Sequence, residues 1–170
     1  MDVALETALI IPVPAAEPVV GAHRARLDRA AAWGVPAHVT VLYPFLPLSS
    51  IRTAALARLF RGFPAFAARF DAIRWFDDRV VWVDPSPASR FRELTDAVWA
   101  AYPSHPPFRG EFADVVPHLT IGHDAPRQAL AEAAASVTPF QEQITSVRLI
   151  AGLTGSRRWE TVSTFSLGPP

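Results

Sequence analysis

The stretches AHVTVLYPF (37–45) and VPHLTIGH (116–123) share one pattern: His-x-Thr running into an apolar segment. His38 and His118 stand eighty residues apart (118 − 38 = 80). A tripeptide of this kind says little by itself, so what surrounds the pair decides its meaning.

Both copies sit in the same order of elements. LETALIIPVP (5–14) reads as a strand and EPVVGAHRARLDRAAAWG (17–34) as a helix stopped by Gly34 and Pro36. HVTVLYPF, rich in β-branched residues, is the next strand; SSIRTAALARLFRGF (49–63) is a helix and FAARFDAIRWF (66–76) a strand. The order then recurs as RVVWVDP (79–85), the helix SPASRFRELTDAVWAAY (86–102), HLTIGH, the helix APRQALAEAAASV (125–137) and the strand QITSVRLIAGL (143–153). A last strand, WETVSTFSLG (159–168), closes the chain, and the turns FDDR and TGSRR suggest hairpins. The expectation is one bilobal domain, 1–170, made of two β-α-β-α-β-type units of about 1–76 and 77–170. A pseudo-two-fold axis between the units would set the two His-x-Thr strands opposite one another across a cleft.

Composition narrows the chemistry. With 170 residues the chain has room for one sizeable core, and 50% hydrophobic residues argue against disorder. No apolar run is long enough to span a membrane, and the N-terminus carries Asp2 and Glu6 with no basic region before its apolar stretch. A cytoplasmic protein is the default expectation. There is no Cys, which removes disulfides, thiolate zinc sites and cysteine nucleophiles. There is also no Lys, since all 16 basic residues are Arg, which removes Schiff-base chemistry, the P-loop lysine and any lysyl-nucleotide intermediate. The formal net charge is zero, so no basic surface for long nucleic acid is evident, and an anionic ligand must be met locally.

Side chains alternate faces along a strand. His38 and Thr40 therefore share a polar face, as do His118 and Thr120, with Val39, Val41, Leu119 and Ile121 on the apolar faces. Two imidazoles can act as base and acid near neutral pH, and two hydroxyls can donate to non-bridging phosphate oxygens. In-line displacement at phosphorus needs its two proton-transfer groups on opposite sides, which a two-fold arrangement supplies without a metal or other cofactor. A histidine pair can instead bind metal, but no third ligand at suitable spacing and no HExxH motif is present. His23 and His105 read as surface residues.

With HVTVLYPF, FADVVPHLTIGH, their spacing and the repeated unit order, the sequence resembles the two-histidine (2H) phosphoesterase superfamily, and within it the 2′-5′ RNA ligase-like family. The resemblance covers essentially the whole chain. It implies an α+β fold with two mainly antiparallel sheets flanking a central cleft, helices outside, and one His-x-Thr per lobe. It implies metal-independent opening of 2′,3′-cyclic phosphates on nucleotides or RNA ends, with 2′-5′ ligation as the reverse reaction. On that basis His38 and His118 are the acid–base pair and Thr40 and Thr120 hold the phosphate. The resemblance favours His118 as base and His38 as acid; the residues themselves leave the roles open. A module that only binds nucleotides or RNA ends in the same cleft is the alternative, and oligomeric state is open. Phe45, Phe108 and Trp159 are candidates to stack on a base, while alternation puts Tyr43 on the apolar face. Arg157 and Arg158 lie in a turn that could reach a second phosphate. One departure stands out: many relatives of this type carry Arg three residues after the second Thr, where this chain has His123. Alternation turns His123 away from His118 and Thr120 unless Gly122 breaks the strand.

Overall fold

A computed structural model describes residues 5–153 and 158–170. Its strands are β1 (Leu5–Pro12), β2 (His38–Leu42), β3 (Phe66–Phe76), β4 (Val80–Ser86), β5 (Leu119–His123), β6 (Phe140–Ile144), β7 (Ser146–Leu153) and β8 (Trp159–Ser166). The helices are α1 (Glu17–Leu27), α2 (Arg29–Ala32), α3 (Thr53–Arg61), α4 (Ala88–Ala101) and α5 (Arg127–Ala135). The strands form two four-stranded antiparallel sheets, ordered β2-β1-β7-β8 and β5-β4-β3-β6. The α+β architecture with two antiparallel sheets is thus as expected.

The expected halves, about 1–76 and 77–170, do not each build a sheet. β3 lies in the second sheet, hydrogen-bonded to β4 through the hairpin at Asp77, and β7 and β8 return to pair with β1 in the first. The segment expected as one strand, 143–153, is two: the chain breaks after Ile144, so β6 pairs with β3 and β7 with β1. The expected first helix also divides, at Asp28, whose side chain caps α2 by accepting from the Ala30 N–H at 3.0 Å.

This exchange makes one core from two sheets. Leu9, Ile11, Val39 and Val41 from the first sheet and Val81, Val83, Leu119 and Ile121 from the second belong to a single buried cluster. The helices cross over too, with α1 packing on β5 and α4 on β2. α4 buries Phe91, Leu94, Thr95 and Val98, the three-and-four spacing of one helical face. α1 can reach β5 because Gly122 has no side chain: a Cβ there would lie 2.6 Å from the Leu27 Cβ.

Each His-x-Thr strand carries a β-bulge immediately after its threonine. Thr40 opposes Ile10 while Leu42 opposes Leu9, so Val41 is extra; Thr120 opposes Trp82 while Gly122 opposes Val81, so Ile121 is extra. Both extra residues point into the core. A bulged residue tends to lose a ladder partner, and the Val41 carbonyl is met instead by the buried Thr95 hydroxyl of α4, which donates to it at 2.7 Å.

Candidate active site

β2 and β5 are edge strands of different sheets, and they touch each other. The two His-x-Thr segments therefore line the seam where the sheets meet. His38, Thr40, His118 and Thr120 are all half-buried, while the residues alternating with them, Val39, Val41, Leu119 and Ile121, are buried.

The two histidines are held alike. His38 Nδ1 lies 2.7 Å from the Pro36 carbonyl oxygen, and His118 Nδ1 lies 2.8 Å from that of Val116. A carbonyl oxygen only accepts, so each Nδ1 carries the proton. In the neutral imidazole this leaves Nε2 with a free lone pair, and neither Nε2 has a hydrogen-bond partner among the described residues. Both rings are thus fixed in the tautomer that can take a proton at Nε2 and hand one back there.

Burial pushes His38 down to about 4; the Arg24 and His118 charges act the same way, and the Pro36 carbonyl and Asp28 carboxylate oppose them. Burial lowers His118 as well, against the Val116 carbonyl. Beside His38, the buried Arg24 donates through Nε to Asp28 at 2.9 Å and through a terminal nitrogen to the Val35 carbonyl at 3.1 Å. With both values lowered, the two motif imidazoles are neutral at pH 7 in the free protein. The sign of the pH dependence follows. Between the ordinary value of 6.5 and about 4, the unfolded chain binds a proton that folded His38 refuses, so stability falls as pH drops through that window. The expected loss from His38 is up to about 3 kcal/mol. Thermal melts from pH 7 to 4.5 should therefore show a larger drop in Tm for the wild type than for His38→Gln. Equal drops would rule out a buried neutral His38.

The bulges correct two expectations from strand alternation. Past Ile121, Gly122 opposes Val81 and His123 opposes Val80, which puts His123 back on the face of Thr120 and Trp82. Its ring is occupied there: Nε2 lies 3.1 Å from the Arg29 amide and 3.4 Å from Asp28 Oδ1, and Nδ1 lies 2.9 Å from Asp124 Oδ2. The hydrogen bond to Asp28 holds His123 above its ordinary value; partial burial opposes this, and Asp124 assists it. The Val41 bulge does the same for Tyr43. It packs against the small Ala8–Ile10–Val35–Ile150 cluster on the Thr40 face, and its hydroxyl donates to Glu6 at 2.7 Å.

The three aromatic candidates are dispersed. Phe45 is 5% exposed, packed edge-on against Tyr102 in the main core, and offers no face to a base. Phe108 lies on the α4–β5 loop, edge-on to Phe112, with its amide donating to the Tyr43 carbonyl. Trp159 covers Gly152, meets Tyr43 edge-on and borders a surface pocket with Arg158. Arg158 is exposed, and Arg157 lies outside the described residues. The aromatics beside a motif histidine are instead Phe76 and Trp82. Their rings stack at 4.6 Å, and His118 stands edge-on to both, at 5.0 and 5.8 Å. Trp82 is 5% exposed, and its indole N–H is buried without a partner. The equivalent positions of the first sheet hold Ile10 and Ile150, so this wall breaks the two-fold symmetry. The available signal was the Val-Val-Trp-Val alternation in 80–83, but only pairing with β5 gives it meaning.

Among the described residues no three His, Cys, Asp or Glu side chains are grouped to hold a metal ion, and no helix is long and apolar enough to cross a membrane. Known structures share the fold. Escherichia coli LigT complexed with 3′-AMP superposes with a TM-score of 0.64 at 21% identity, over 95% of this chain and 97% of that one. LigT complexed with phosphate gives 0.60 at 19% identity, over 96% and 97%. TT0787 of Thermus thermophilus gives 0.62 at 18% identity, over 96% and 98%. No curated protein matches the sequence. The family model for the 2′-5′ RNA ligase superfamily matches residues 11–154, which takes in both His-x-Thr strands and the extra residue of each bulge, Val41 and Ile121. The chain belongs to the 2′-5′ RNA ligase superfamily.

Proposed function

We propose that this protein is a phosphodiesterase that opens 2′,3′-cyclic phosphates of nucleotides or RNA ends by proton transfer between His38 and His118. The observation that carries this is the matched pair of imidazoles on touching edge strands, each with Nδ1 tied to a carbonyl two residues upstream and Nε2 free. Superfamily membership and the nucleotide and phosphate complexes of LigT, a protein of the same fold, agree with it.

One Nε2 takes a proton from water as its oxygen attacks phosphorus. The ring P–O bond on the far side breaks, and the other imidazole gives its Nε2 proton to the departing ribose oxygen. Thr40 and Thr120 donate to the non-bridging oxygens. Both imidazoles are neutral without ligand, so the acid must gain its proton when the anionic phosphate arrives and raises the affinity of both rings for it. If the hydroxyl of an RNA end replaces water, the same transfers join two ends. Phe76, half-buried, offers the wall on which a base would lie, with the buried Trp82 ring stacked against it.

The test is turnover of a 2′,3′-cyclic nucleotide in excess chelator. Turnover is expected, with a bell-shaped kcat/KM profile whose acid limb lies below pH 6.5 because burial lowers the base. A ligand-induced rise in Tm with no turnover would sink this reading and leave the binding-module alternative.

A further inference from the structure

Register draws one row of residues across each sheet at the level of its threonine. In the first sheet the row is Thr40, Ile10, Arg148 and Thr164; in the second it is Thr120, Trp82 and Arg74. Residues directly opposite in antiparallel pairs share a face. Arg148 and Arg74 therefore stand on the faces of the threonines, each two strands from its His-x-Thr strand. Arg74 is exposed and bound through Nε to Asp84 at 3.1 Å. Arg148 is half-buried, with no hydrogen-bond or carboxylate partner among the described residues.

That combination is singular among the described arginines. Arg24 is buried but paired with Asp28, Arg90 is half-buried but faces Glu93 at 3.5 Å, and the others are exposed. Drawing a guanidinium partly out of water without a counter-charge is unfavourable, and an anionic ligand would relieve it. Two strand spacings put the Arg148 backbone about 10 Å from that of Thr40, with Ile10 between. Arg148 thus shares the face of His38 and Thr40 but stands two strands away from them.

We infer that Arg148 is the subsite for a second phosphate, and that the preferred substrate is an oligonucleotide end whose neighbouring internucleotide phosphate reaches it, not a free cyclic mononucleotide. This rests on the reading of His38 and His118 as a cyclic-phosphate centre. The zero net charge fits a short contact of this kind and not a tract along a strand.

The experiment compares kcat/KM for a 2′,3′-cyclic mononucleotide, a dinucleotide with the same cyclic end, and that dinucleotide with an uncharged methylphosphonate linkage. The wild type should favour the charged dinucleotide about tenfold over the other two. Arg148→Gln should remove most of this preference through KM, losing several-fold more on the charged dinucleotide than on the mononucleotide, and Arg148→Lys should recover part of it. A wild type without the preference, a preference that survives the methylphosphonate, or an equal loss on both substrates overturns the inference. If the wild type opens none of the three, the cyclic-phosphate reading falls and the inference with it.

Discussion

His38→Ala and His118→Ala should each lower kcat for cyclic-phosphate opening by about 10²–10⁴-fold, the usual contribution of one positioned proton-transfer group. The fold should survive, because each ring is half-buried and gives up only one hydrogen bond, to Pro36 or to Val116. The double variant should lose far less than the product of the single losses: once one partner is gone, the other has no complementary transfer to perform. Multiplicative losses would mean that the two imidazoles act independently. Retention of near-wild-type kcat by either single variant would remove that residue from the chemistry.

Thr40→Val and Thr120→Val should lower kcat/KM by about 10- to 150-fold, the equivalent of one hydrogen bond of roughly 1.5–3 kcal/mol to a charged oxygen. Valine keeps the β-branched shape and suits the strand, so packing is little disturbed. Thr→Ser at each position keeps the hydroxyl and should retain most of the activity. The ordering matters as much as the size. If the valine variants lost more rate than the histidine variants, the threonines would be doing more than holding phosphate oxygens. If serine failed to rescue, the methyl group and not the hydroxyl would be the relevant feature.

The prospects of these variants depend on features of unequal legibility. Strand periodicity is local, so the shared faces of His38 with Thr40 and of His118 with Thr120 could be read from residue order, as could most strands and helices and the β3–β4 hairpin. The destination of a strand is not local. Residues 143–153 read as one apolar run, yet Ile144 ends in one sheet and Ser146 begins in the other, because β3 and β1 each offered an edge that only the assembled fold presents. The same exchange carries β3 into the second sheet and β7 and β8 into the first, across the expected boundary near residue 76. Alternation failed at His123 and Tyr43 for a related reason: a bulge adds a residue without a sequence mark of its own, and the Val41 carbonyl is satisfied by Thr95, 54 residues away.

By itself the sequence determined the chemistry on offer: two imidazoles and two hydroxyls on matched strands, no thiol, no lysine amine and no basic tract. Those are properties of residue types and of a two-residue repeat, which need no partner. Tertiary structure alone decided what surrounds that chemistry. It turned Phe45 into core, put Phe76 and Trp82 beside His118, tied His123 to Asp28, and gave Arg74 the carboxylate of Asp84 while its counterpart Arg148 has none among the described residues. Each of these depends on which strand lies next to which, and pairing between distant segments is settled by burying one shared core, where no short stretch of chain carries the answer.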